Sequence, residues 1–484
     1  MSNSAQLDIS DRDMAAQSSR QILKTADHLM ERRQYRMALA GLLPLMQESS
    51  LDVAVLDRTA SCYFQLGDCQ AAISLVEVLI QLRPDLTAGW GKLAAMKHSL
   101  GDKQGAIEGY RKVLKEDKNS VFALAALNRL DPFRRDGQKA SRLRKLSKSP
   151  KSPKLSNAER SAVFSALGQI EHASNRPNSA FRFFAKAKAA QKADYSPEVM
   201  EQLVDGQIEK FRKNTTTECH RDGPRIVFVM GMPRSGTTLV ETILARHSIV
   251  GTAGESTALS KTLQVVRQHI KDTQRGADVW DWFGQLSEQE IAIFRQSYYG
   301  FLSQGTTVSN DVIVDKMPGN SLHLGLAHML LPNAKFIFMS RHPLDVGLSN
   351  FSTIFGTGNQ FSSRLDWIGQ TTRSVYRSIE DYKQKLPDQL RIQSYQGLVT
   401  NPEIQIRALL DHAGLSWEPD CLSPQDAEGA IRTASVEQAR EKINTRALGK
   451  WQPYEQQLQP LVDALGGPEW IQAWQTQDKM SASC

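Results

Sequence analysis

Cysteine is scarce in this chain of 484 residues. The five present, Cys62, Cys69, Cys219, Cys421 and Cys484, are odd in number and scattered. That pattern argues against a disulfide framework or a cysteine-based zinc site, and it predicts a reducing, cytoplasmic setting. Long apolar runs are missing as well. No stretch approaches the ~20 consecutive apolar residues that a membrane span requires. Met1 to Met14 is polar and acidic, without the apolar run of a secretion signal. What remains has the composition of globular protein, with 40% hydrophobic and 23% charged residues. The length allows two or three domains with cores of their own. A net charge of +7 suits an anionic partner (nucleotide, nucleic acid or membrane surface) without choosing among them.

The segment 1–130 reads as helical and repetitive. Leu66-Gly67-Asp68 returns as Leu100-Gly101-Asp102, and at the same offset Ala38, Ala72 and Ala106 align. Each unit reads as two amphipathic helices joined by a Gly-Asp turn, with the small alanine permitting close helix approach. In the first unit Arg33 stands where the others have glycine. The period and small-residue pattern resemble the tetratricopeptide (TPR) family; an ordinary helical bundle is the alternative. Residues 131–154 lose the hydrophobic period. Nine lysines and arginines alternate there with serine and proline, which predicts a flexible basic linker. Its aromatics are limited to Phe133, which argues against a nucleic-acid surface. A helical pair resumes across 155–220 as a further repeat or a bridge, with Ser156 and Glu159 spaced as a capping box.

From Arg225 the rhythm changes. Ile226–Met230, Val312–Val314, Phe336–Met339 and Leu390–Tyr395 are β-rich runs with helical stretches between them. Strand and helix in alternation predict an α/β domain over 221–484 built on a mainly parallel sheet, with ligands beyond the carboxyl ends of the strands. The first run leads into Gly231-Met232-Pro233-Arg234-Ser235-Gly236-Thr237-Thr238 and then a helix. This is the strand, glycine-rich loop and helix of a phosphate cradle. The glycines let the backbone turn and present N–H groups to an anion, and the helix N-terminus adds partial positive charge. Thr237 replaces the lysine that ordinarily reaches the outer phosphates of ATP or GTP. Arg234 supplies a bidentate oxyanion grip from within the loop.

Pro233-Arg234-Ser235-Gly236-Thr237-Thr238 resembles the 5′-phosphosulfate loop of sulfotransferases, and its surroundings are similar to the tyrosylprotein sulfotransferases and their bacterial relatives, over roughly 224–465. A TPR array ahead of such a domain is a known bacterial arrangement. The resemblance implies 3′-phosphoadenosine-5′-phosphosulfate (PAPS) as sulfuryl donor, held by Arg234, Ser235, Gly236, Thr237 and Thr238. Arg341, at the end of a β-rich run, and Ser349, in the helical stretch after it, match the family's contacts to the 3′-phosphate. Tyr395 and Lys450 match softer PAPS contacts. Glu255, in Ala253-Gly254-Glu255-Ser256 after the loop helix, falls at the family's catalytic base, Lys316 at the lysine that stabilises the departing oxygen, and Ser435 at a transition-state contact. A base and a fixed cation are what sulfuryl transfer to a hydroxyl needs. His247 is the rival base.

Two positions depart from the resembled family. Thr257 stands where an arginine holds the acidic flanks of a tyrosine peptide, and Thr353 stands where another arginine contacts phosphate. The resulting expectation is an α/β, P-loop-like sulfotransferase domain behind an all-α TPR-like repeat domain. It moves the sulfuryl group of PAPS to an acceptor hydroxyl or amine in a protein tyrosine, a carbohydrate or a small molecule. No metal is required, although Asp315, at a strand end, keeps a Mg²⁺ site open. A TPR groove offers recruitment of a protein or peptide. The rivals are a nucleotide-dependent kinase or ATPase, and a TPR scaffold with an inactive domain.

Overall fold

A computed structural model describes residues 19–48, 52–148, 155–212, 223–276, 280–304, 310–356, 358–427, 429–431, 433 and 436–483. They divide into two compact units.

The first unit holds the chain up to Lys118, with 302–304 and 429–431 added to it. It is a run of antiparallel helix pairs: 19–31 with Tyr35–Glu48, Val53–Leu66 with Cys69–Leu82, and Thr87–Ser99 with Lys103–Glu116. The regular spacing of the repeats has a backbone cause. Gly67 and Gly101 turn between paired helices with φ of +94° and +90°, a left-handed conformation that costs glycine nothing. Arg33 takes the same role at +56°, so the first unit keeps the turn without its glycine. Asp68 and Asp102 then cap the following helices by accepting from the backbone N–H groups of Ala71 and Gly105. Ala38, Ala72 and Ala106 are all fully buried, which is the close approach their size permits.

The second unit begins at Asn119, a helix earlier than the expected end of the repeats at 130. Val121–Leu130 packs with Asn157–Ala173: Leu124 and Leu127 are buried, and Asn128 Nδ2 donates to Gln169 Oε1 at 3.1 Å. Much of the stretch read as a flexible basic linker is ordered. Gln138–Lys148 is a helix that buries Ala140 and Leu143 while its lysines and arginines stay outward. Two apolar residues three apart give too weak a period to show in sequence. Ser156 and Glu159 form the expected capping box, and Asn157–Ala173 pairs with Pro177–Gln191.

The sheet has five parallel strands: β1 (Arg225–Gly231), β2 (Val250–Thr252), β3 (Val312–Lys316), β4 (Lys335–Ser340) and β5 (Leu390–Ser394), in the order β2-β3-β1-β4-β5. Helices cover it, so its strands are buried on both faces and read as apolar runs. β2, only Val-Gly-Thr, is too short to read as a strand in sequence. Tyr395 ends the expected fourth run but opens the helix Tyr395–Thr400. The chain crosses to β3 on one side of β1 and to β4 on the other, and such a switch point opens a crevice at the carboxyl ends of the strands.

Candidate active site

The strand register aims the site. Val229 of β1 lies opposite Lys316 of β3, and Gly231 lies opposite Met339 of β4. The glycine-rich loop therefore leaves the sheet with the last residue of β3 on one side and Arg341, just past β4, on the other. Steric room allows only glycine at the turn. A Cβ on Gly231 would stand 2.7 Å from Ser235 Oγ and 2.9 Å from the Met339 carbonyl, and one on Gly236, at φ +113°, would stand 2.6 Å from the Tyr395 ring. Arg234 itself is left-handed, with φ +70°, a strain that neighbours must hold. Arg341 Nη1 donates to the Arg234 carbonyl at 3.0 Å, and Asn350 Nδ2 to that of Pro233 at 2.7 Å. Gly236 leads directly into the helix Thr237–Leu244. Thr237 and Thr238 are buried in its first turn, with Thr238 Oγ1 within 3.3 Å of Thr433 Oγ1.

Beside the loop lies a cavity of about 430 Å³, within the size range of small-molecule and cofactor sites. Arg234, Arg341, Ser349, Tyr395 and Lys450 line it. Arg234 Nε donates to Ser349 Oγ and its Nη2 to Gln438 Oε1, both at 3.1 Å. The Arg341 guanidinium lies 4.7 Å over the Tyr395 ring, and its Nη2 donates to the Ala447 carbonyl. Burial, reinforced by Arg341 and Arg234, lowers Lys450 from its ordinary value. Cations crowded this way are stabilised by an anion. Ser235 Oγ and Arg341 Nε are buried without a hydrogen-bond partner. Each such group costs about 1–3 kcal/mol when left unsatisfied, and an oxyanion seated on the loop offers them an acceptor.

Sequence reading did not single out two of the parts that shape this cavity. Asp345, buried in the first turn of the helix Pro343–Ser352, accepts from the N–H groups of Gly449 and Trp451 at 2.9 and 3.1 Å. It thereby pins the backbone on both sides of Lys450. Gln169, His172 and Phe184, from the helical hairpin ahead of the sheet, line the same cavity. Only the long-range pairing of Asp345 with Gly449 reveals the first, and no local motif marks the second.

A separate group sits at the carboxyl ends of β2 and β3. Lys316 is fully buried. Its Nζ donates to Glu255 Oε1 at 2.9 Å and lies 3.5 Å from Glu241 Oε2. Glu241, from the loop helix, also accepts from Thr252 Oγ1. The Lys316 backbone N–H donates to the Gly254 carbonyl, and Gly254 turns at φ +60° to deliver Glu255. The Glu255 side chain is 39% exposed, so its carboxylate reaches both the lysine and solvent. Neither residue lines the cavity that holds Arg341 and Ser349. Asp315 points away, accepting from Tyr298 Oη at 2.9 Å and Asn320 Nδ2 at 3.2 Å, and burial pushes it up to about 7. His247 lies before the amino end of β2, with Nε2 at 3.1 Å from the Ser416 carbonyl, across the sheet from Lys316. Asn444 is spent on its own turn, donating to the Lys442 carbonyl. Ser435 lies outside the described residues.

The parallel sheet, the glycine-rich loop and the helix after it define an α/β protein with a P-loop-like turn. More particularly, residues 224–419 match the model of the sulfotransferase family. An uncharacterized protein of Aquifex aeolicus is 27% identical over 406 residues, which is 81% of this chain and 52% of that one. Protein-tyrosine sulfotransferase 1 of Homo sapiens is 24% identical over 254 residues, 50% of this chain and 66% of its own. The chain thus spans about half the length of the Aquifex relative. Among solved structures, the sulfotransferase domain of a Synechococcus olefin synthase aligns over 50% of this chain and 91% of its own, at 19% identity and a TM-score of 0.35. Among the described residues, no helix is long and apolar enough to cross a membrane.

Proposed function

We propose that this chain is a PAPS-dependent sulfotransferase. The observation that carries the reading is the pair of distinct charged groups flanking one anion loop: the Lys316–Glu255 pair on the β3 side, and the Arg234, Arg341, Ser349 and Lys450 cavity on the β4 side. A donor with a transferable group at one end and a further phosphate at the other suits both. Arg234, Ser235, Gly236, Thr237 and Thr238 would hold the 5′ end of PAPS, and Arg341, Ser349 and Lys450 its 3′-phosphate, with Tyr395 beneath Arg341. Bound there, PAPS supplies the sulfuryl group and leaves as adenosine 3′,5′-bisphosphate.

The protein's own residues then have defined tasks. The Glu255 carboxylate takes the proton of the acceptor hydroxyl as that oxygen bonds to sulfur. The Lys316 ammonium lies beside the loop, ready to neutralise charge on the departing bridging oxygen. It needs no reorganisation, because burial and two carboxylates already fix it. Ser435, by family resemblance, assists the same transition state. The acceptor hydroxyl belongs to a protein, a carbohydrate or a small molecule. Relatives named for protein tyrosine put the tyrosyl hydroxyl first among acceptors to test, and the helical repeats offer a groove for recruiting a protein.

A kinase or ATPase makes the opposite binding prediction. At ~100 times its dissociation constant a ligand stabilises the folded chain by roughly 2.7 kcal/mol. Adenosine 3′,5′-bisphosphate should raise the melting temperature at concentrations where Mg-ATP does not. Stabilisation by Mg-ATP alone would overturn the donor assignment. Transfer of label from ³⁵S-labelled PAPS to material in a lysate, lost in Glu255→Gln, would separate an active enzyme from a scaffold.

A further inference from the structure

We propose that His172, supplied by the helical hairpin ahead of the sheet, is a contact for the donor nucleotide's 3′-phosphate. The inference rests on the donor reading above and extends it to a residue with no place in the loop motifs.

His172 lines the same cavity as Arg234, Arg341 and Lys450. Its ring is held in place: Nδ1 is 2.7 Å from Tyr454 Oη, and the two rings stack with centroids 6.0 Å apart. Tyr454 is almost wholly buried, and its hydroxyl finds an acceptor in His172 Nδ1 when the imidazole carries its proton on Nε2. In that tautomer Nε2 is a donor, on a residue that is exposed. Desolvation, and after it the charge of Lys450, lowers the imidazole from its ordinary value. Lys450 in turn feels Arg341 and Arg234. His172 and three cations therefore line one cavity.

The nearby carboxylates are already engaged. Asp345 is committed to Gly449 and Trp451, and Glu441 to Arg446. One turn before His172 on the same helix face, Gln169 has its Oε1 accepting from Asn128, which leaves its amide nitrogen as another donor. The loop and its helix N-terminus accommodate one anionic group; this second donor cluster accommodates another. Aromatic packing fixes the hairpin to the rest of the site, with Phe181 stacked on Phe351 at 5.1 Å.

The test is calorimetric titration of the full chain with adenosine 3′,5′-bisphosphate and with adenosine 5′-monophosphate, which lacks the 3′-phosphate. His172→Phe keeps a ring and removes the donor. It should weaken the bisphosphate roughly 10- to 100-fold, the worth of a hydrogen bond to a charged group, and barely change the monophosphate. His172→Gln, which restores an N–H near the Nε2 position, should recover most of the loss. Unchanged bisphosphate affinity in His172→Phe, or equal weakening of both ligands, would overturn the inference. If the wild-type chain binds no bisphosphate, the donor reading itself has failed, and that result is distinct. Should His172→Phe not fold, Tyr454→Phe leaves the imidazole in place but frees its tautomer, and it should cost the bisphosphate alone several-fold; no loss would overturn the inference.

Discussion

Lys316 and Glu255 meet at 2.9 Å across the carboxyl ends of β3 and β2, and Glu241 approaches the same ammonium from behind at 3.5 Å. The lysine is thus clamped between a buried carboxylate and a partly exposed one that reaches solvent. This asymmetry separates two tasks that a surface ion pair would confuse.

Glu255→Gln removes the proposed base but leaves an oxygen for Lys316 to meet. Sulfuryl transfer should fall by about 10²–10⁴, the usual worth of general-base catalysis. Adenosine 3′,5′-bisphosphate should bind as before. Initial rates alongside a binding titration separate the effects, and unchanged turnover would remove Glu255 as base.

Lys316→Met should damage folding as well as turnover. It leaves the buried Glu241 carboxylate without its cation, and breaking a buried pair in this way costs about 3–5 kcal/mol. Adding Glu241→Gln should recover most of the stability and none of the activity. Denaturant midpoints and transfer rates of the single and double variants check this. Recovered activity in the double variant would mean that Lys316 is only structural.

Asp345→Ala should loosen the turn that carries Lys450 without touching the loop. Two charge-assisted bonds are lost, each worth about 1.5–3 kcal/mol, so bisphosphate affinity should fall by at least ~10-fold. A nucleoside 5′-monophosphate should be less affected. Equal loss for both ligands would show that the whole site had collapsed instead.

Lys188 should give the protein a pH-dependent stability. It is buried at 2% exposure, and Nζ donates to the Thr353 carbonyl at 2.7 Å and to Ser362 Oγ at 2.9 Å. Burial drops its value to about 7 from 10.5. Between those two values the unfolded chain holds a proton that the folded chain does not. Stability attributable to this group therefore rises with pH through that window, by up to about 1.4 kcal/mol per pH unit. Thermal midpoints from pH 7 to 10 should rise less in Lys188→Met than in the wild-type chain. Parallel pH profiles would mean that the ammonium stays charged in the fold.

Much of the candidate site was legible because its residues are close along the chain. Gly231, Arg234 and Gly236 follow one strand, and Arg341 and Ser349 share another strand-to-helix turn, so spacing along the chain carries their geometry. The repeats were legible for the same reason, since the backbone turn at Gly67 recurs at Gly101 with the same Leu-Gly-Asp wording. Arg33 shows the margin of that code: the conformation persists where the glycine does not. The ordered helix Gln138–Lys148 escaped notice because basic side chains outnumber the two residues it buries.

What the sequence determined by itself is the glycine-rich loop and the α/β order around it, since backbone conformation and strand pattern are set by neighbouring residues. Tertiary structure decided which distant groups complete the site. The strand order puts Lys316 and Arg341 on opposite sides of the loop. Glu241 fixes Lys316, Asp345 fixes the Lys450 turn, and a helical hairpin brings His172 to the cavity. Each of these pairings joins residues far apart along the chain. Their contact depends on how buried apolar faces pack the elements together, and no local spacing encodes it.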